Sequence, residues 1–101
     1  MANTQVRTPS YHSRFLFAKN SYEKLVNAAR DLSIFTQHGI NAEFISELAH
    51  TCEEFQKRLE NPASYEELAE LEGRLIKGLE KIRSTAYKVW GNRSPKYQVY
   101  N

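Results

Sequence analysis

Apolar residues along this chain recur at three- and four-residue intervals, and polar clusters interrupt them at two places. The clearest stretch is 64–90. At 100° per residue Leu68, Leu71, Leu75, Leu79, Ile82, Ala86, Val89 and Trp90 fall on one side, which predicts a long amphipathic helix. Tyr65, Ala69, Ile76 and Tyr87 widen that side. Ser64 and Glu67 spell a capping box, in which hydroxyl and carboxylate each satisfy an orphan backbone amide. Glu66, Glu67, Glu70 and Glu72 crowd the positive end of the helix dipole, and Lys81, Arg83 and Lys88 lie toward its negative end.

Upstream, Tyr11, Phe15, Ala18, Tyr22, Leu25, Ala29 and Leu32 form a heptad-like seam, which predicts a helix over 9–38. Thr8 suits its N-cap and Pro9 its first turn. Asn20-Ser21 is the one place where the pattern allows a kink, since Asn20 with Glu23 is also a helix-start signal. Gly39 stands where a left-handed residue closes a helix, Ile40 can supply the accompanying apolar contact, and Asn41 can cap the next helix. Ile40 and Ile45 are placed as a hydrophobic staple. The second helix, 42–60, has Phe44, Ile45, Leu48, Ala49, Cys52, Phe55 and Leu59 on one arc. On its back, Glu53 with Lys57 and Glu54 with Arg58 are spaced as ion pairs. Asn61-Pro62 ends it, because the residue before proline is pushed out of the helical region.

Short turns make successive helices antiparallel neighbours. The expected fold is therefore all-α, an antiparallel up-down three-helix bundle. Residues 1–8 form a flexible start, 9–91 the bundle, and 92–101 a basic, aromatic tail. A first helix of about 30 residues would be roughly 45 Å long against about 28 Å for the second. That mismatch would leave part of helices 1 and 3 uncovered.

The first helix also carries apolar residues off its seam: Phe17, Ala28 and Phe35 on one stripe, Leu16 and Ile34 on another. Several at helical spacing mean that a second surface is covered. Either the tail or a third packed helix covers it, or it is a subunit or partner interface that completes a larger bundle by dimerisation.

With 101 residues the chain holds one domain of modest core. The longest apolar run, Phe15-Leu16-Phe17-Ala18, is far short of a membrane span or a secretory core, so a cytoplasmic protein is expected. The single cysteine excludes an internal disulfide framework. Net charge is +2, unevenly spread. Residues 31–72 hold ten acids against Lys57 and Arg58, while 73–101 hold seven bases against Glu80. An acidic middle between basic ends suits self-association as well as internal folding.

The candidate chemistry is thin. Cys52 lies in the middle of an apolar face and is expected to be an inert core thiol. His12, His38 and His50 match no metal-ligand spacing, and Gly73 and Gly78 lie inside a helix rather than in a phosphate loop. No enzyme, metal or cofactor is expected. Glu72 and Arg83 fall inside the third helix's apolar arc, either at its edge with heads in water or paired across helices. Gly78 suits close approach of a neighbour. In the C-terminal region Arg83, Lys88, Trp90, Arg93, Lys96 and Tyr97, with Tyr100, make a low-ranking nucleic-acid surface of cations and rings. The acidic middle argues against it, and the tail's rings are more readily read as folding back to cap the bundle or docking on a neighbour.

Two pieces carry a resemblance. Gly39-Ile40-Asn41-Ala42-Glu43-Phe44-Ile45 and Trp90-Gly91-Asn92-Arg93-Ser94-Pro95-Lys96-Tyr97 make the chain look similar to a group of small uncharacterised bacterial helical-bundle proteins. In these the second piece reads aromatic-Gly-x-x-Ser-x-x-Tyr. The chain stops before the glycine- and base-rich extension associated with some members. The resemblance implies a helical bundle and no activity. The functional expectation is a non-enzymatic, self-associating structural or adaptor module, a dimer first, with weak nucleic-acid binding as the alternative.

Overall fold

The computed structural model describes residues 11–60 and 65–101, with Tyr11, His12 and Tyr65 described by backbone alone. The flexible start, the Thr8-Pro9 cap, the Asn61-Pro62 stop and Ser64 of the capping box lie outside the described residues. All regular structure among the described residues is helical: α1 (Tyr11–Arg30), α2 (Leu32–Thr36), α3 (Ala42–Glu60), α4 (Tyr65–Trp90) and α5 (Pro95–Gln98).

Contacts between the long helices follow a definite order. The Cys52 thiol donates to the Ala18 carbonyl (3.4 Å), and Phe17 meets Phe55 edge-on with centroids 6.0 Å apart. Between α3 and α4, Arg58 pairs with Glu67 at 2.9 Å, Leu48 lies over Gly78, and the Lys81 ammonium sits 5.1 Å above the Phe44 ring. Arg14 pairs with Glu72 at 3.7 Å, and Phe35 meets Trp90 at 6.0 Å. Residue order thus reverses between α1 and α3 and between α3 and α4, and is preserved from α1 and α2 to α4. One apolar core results, running from Ala18 and Leu25 through Cys52, Phe55 and Leu59 to Leu75, Ile82 and Ala86.

The first helix departs from its expected form in two ways. It runs unbroken through Asn20-Ser21 but leaves helical geometry at Asp31, whose φ of −95° and ψ of 23° separate α1 from α2. Among the described residues α3 spans 19 residues and α1 20. Its buried face is also turned by roughly 60° from the seam. Arg14, Ser21, Leu25 and Ala28 point inward, whereas Tyr22 and Ala29 of the seam are exposed. Two polar side chains hide this face in the sequence. The Ser21 hydroxyl donates to the Phe17 carbonyl at 2.7 Å, and Arg14 has Glu72, so both are buried with partners.

The turn after α2 forms as its residues dictate. Gly39 has φ +91°, Ile40 N–H donates to the Phe35 carbonyl (3.0 Å) and Gly39 N–H to that of Thr36 (3.3 Å), a Schellman closure. The Asn41 side chain accepts from Phe44 N–H at 2.9 Å, and Ile40 and Ile45 are both buried. On the back of α3, Arg58 reaches Glu54 at 3.5 Å, and Lys57 also reaches Glu54 (4.0 Å) where Glu53 was expected.

The C-terminal motif explains itself structurally. Gly91 (φ +83°) ends α4 with its N–H on the Tyr87 carbonyl, the Ser94 hydroxyl accepts from Lys96 N–H, and Pro95 opens α5. This short helix turns Tyr97 and Tyr100 back onto the bundle, where both are buried. Tyr100 stacks on Trp90 (3° between planes) and meets Phe35 edge-on at 5.3 Å. Its hydroxyl donates to the Asp31 carboxylate at 2.7 Å. Of the two roles open to the tail, folding back on its own bundle is the one observed.

Candidate functional site

Two surfaces carry the residues singled out by sequence, and the structure redistributes both sets. Of the five apolar candidates, Ala28 and Phe35 are fully enclosed within one chain. They are core, because the inward face of α1 is turned toward them and the C-terminal turn closes over Phe35. Phe17 is half-buried against Phe55, and Ile34 is also half-buried. Leu16 alone is exposed, at 46%.

The same turn of α1 that buries Ala28 leaves a different apolar flank open. Tyr22 and Val26 are 49% and 40% exposed and share a face with Ala29. Beside them Ala29, Leu32, Ala42, Ile45 and Ser46 line a shallow groove between α1 and α3. Three small or apolar side chains on α3, with Ala29 of α1 and Leu32 of α2, give it no charged lining. Tyr22 and Ala29 were assigned to the core seam, so this flank was missed. The buried polar residues Arg14 and Ser21 were its only signal.

At the basic end, Arg83, Lys88 and Tyr97 come together with Ser84 and Tyr87 around a depression on α4. Tyr87 was read only as widening the apolar side, but its ring is 51% exposed and held edge-on by Tyr97, 5.6 Å between centroids. Trp90 and Lys96 belong to another cluster: the Lys96 ammonium lies 5.7 Å over the indole and 4.0 Å from Asp31. Arg93 is exposed on the turn between α4 and α5. Glu72 takes the cross-helix pairing, with Arg14, whereas Arg83 is half-buried with no hydrogen bond or ion pair to any described residue.

Cys52 is enclosed at the α1–α3 contact. Burial, and secondarily the charge of Glu53, raise its pKa above the ordinary 9.0, which keeps it a thiol. His38 and His50 are exposed on the surface. Among the described residues no three of His, Cys, Asp and Glu cluster as metal ligands, and no helix is long and apolar enough to cross a membrane. No family model, curated protein or solved structure matches the chain.

Proposed function

We propose that this chain is a non-enzymatic helical module: an antiparallel up-down bundle of three long helices that self-associates, as a dimer, through the outer flank of α1 and α3. The observation that carries the reading is the exposed pair Tyr22 and Val26 beside a groove lined by Ala29, Leu32, Ala42 and Ile45. Small side chains let another helix approach closely, and an exposed tyrosine supplies a large, stiff contact of the kind that anchors interfaces. A second copy is the simplest occupant, because a two-fold arrangement sets the same flank on both sides. This moves the expected interface from Phe17, Ala28, Phe35, Leu16 and Ile34 to the neighbouring stripe, and exposed Leu16 lies on a different side of α1.

Light scattering across a concentration series tests it. The wild-type mass is expected to rise from monomer to dimer. Tyr22→Lys with Val26→Lys is expected to weaken dimerisation at least tenfold, with the thermal melting of the monomer unchanged, since both positions face outward. A wild-type monomer at every concentration, or a dimer indifferent to the double substitution, would overturn the assignment.

A further inference from the structure

Across the face formed by α1, the C-terminal turn and α4, three depressions join end to end. Arg83, Ser84, Tyr87, Lys88 and Tyr97 line the first, about 380 Å³ in volume. Arg83 also lines the second, with Phe17, Ile76, Glu80 and Lys24, and Lys24 lines the third beside Asn20, Glu23 and Val99. Arg83 is common to the first two and Lys24 to the last two, so the three depressions adjoin, with Lys88, Arg83 and Lys24 along them.

The central cation is Arg83. It is half-buried, and a partly desolvated guanidinium gains most from an anion that can fill its fork of donors. Glu80 lies one turn away along the same groove but makes no ion pair with it. Lys88 is exposed, five residues and so about 7.5 Å further along the helix axis. Lys24 stands across the groove, where its ammonium donates to the Asn101 carbonyl at 3.1 Å. Tyr87, on the same helix between Arg83 and Lys88, is half-exposed, with its ring packed edge-on against Tyr97. A row of cations with a fixed, half-exposed ring is the arrangement that tracks a phosphate backbone and stacks a base.

The acidic cluster at the start of α4 lies away from the groove. Glu66, Glu67 and Glu70 precede Arg83 by 13 to 17 residues of continuous helix, about 20–25 Å along the axis. That is more than twice the screening length of about 8 Å at physiological salt. Within the groove itself, Glu80 lines the second depression and Glu23 the third, against the three cations Lys88, Arg83 and Lys24.

From these placements we propose that the groove binds single-stranded nucleic acid, with one base stacked on Tyr87 and phosphates at Lys88, Arg83 and Lys24. The surface is separate from the outer flank of α1 and α3, and does not depend on self-association.

Fluorescence anisotropy of a labelled twelve-residue oligothymidylate tests it with the full chain. Three phosphate contacts on a single strand predict an affinity loss of about twentyfold between 50 and 200 mM salt. Tyr87→Ala and Lys88→Gln change exposed positions, so melting should be unaltered while binding weakens about tenfold or more in each. Arg83→Gln is expected to weaken it further, and circular dichroism checks that its half-buried site still folds. Absence of binding at 50 mM salt overturns the proposal. So does equal affinity for a duplex, or undiminished binding by both Tyr87→Ala and Lys88→Gln. Competition by inorganic phosphate, adenosine monophosphate or polyglutamate as effective as by the oligonucleotide would reassign the groove to a small anion or an acidic peptide.

Discussion

A methyl group added at Gly78 would run into the side chain of Leu48, whose Cγ lies 2.8 Å from the added atom, whereas one added at Gly73 meets nothing within 4 Å. Both glycines sit inside α4, so both replacements gain the same helix propensity, about 1 kcal/mol. Only Gly78→Ala also forces a buried leucine out of place, at a cost of about 1–3 kcal/mol. Urea denaturation is therefore expected to find Gly73→Ala stabilised by about 1 kcal/mol and Gly78→Ala about 2 kcal/mol less stable than it. Equal midpoints would mean that Leu48 moves aside freely. Close approach at Gly78 was legible from its place beside the apolar arc. The inward face of α1 was not, because a hydropathy pattern scores Arg14 and Ser21 as solvent-facing and cannot see Glu72 or the Phe17 carbonyl waiting for them.

At the scale of elements, what could be read was what adjacent residues settle among themselves. The α2–α3 turn needs only Gly39, Ile40 and Asn41 in sequence, and its hydrogen bonds are all local. The break at Asp31 carries no glycine or proline, and its partner, Tyr100, is 69 residues away. That contact also sets a pH dependence. Burial first, then the hydrogen bond to Asp31 and its charge, push the Tyr100 phenol well above its ordinary pKa of 10.0, with Arg30 opposing weakly. A pKa raised on folding means that the protonated phenol stabilises the fold below pH 10.0, and that this contribution fades as pH rises past that value. Tyr100→Phe is expected to cost about 1.5 kcal/mol at pH 7, the loss of a hydrogen bond to a charged acceptor. The variant should then lose less stability than wild type between pH 9 and 11, where the Cys52 thiol contributes equally to both. A gap between the two that stays constant through pH 11 would show that ionisation of Tyr100 is not coupled to folding.

For the whole molecule, the C-terminal turn decides which apolar surface is left to meet a partner. Phe35 packs edge-on against Tyr100 and Trp90, and Tyr97 holds the ring of Tyr87. A chain ending at Gly91 would therefore uncover Phe35 and one side of Trp90 while leaving Tyr22, Val26 and the α1–α3 groove as they are. Uncovered aromatic surface of that kind drives association of its own. The truncated chain is expected to bind a hydrophobic dye, to melt lower than the full chain and to scatter as larger species. Adding Tyr22→Lys and Val26→Lys should not return it to a monomer, although the same pair does so in the full chain. If the pair did restore a monomer after truncation, the exposed Phe35 would be inert and the turn would serve only to hold Tyr97 and Tyr87. In that case oligonucleotide binding, rather than mass, is the property the truncation should abolish. The two measurements on one truncated protein thus separate the turn's role as a cover for the core from its role in presenting the basic groove.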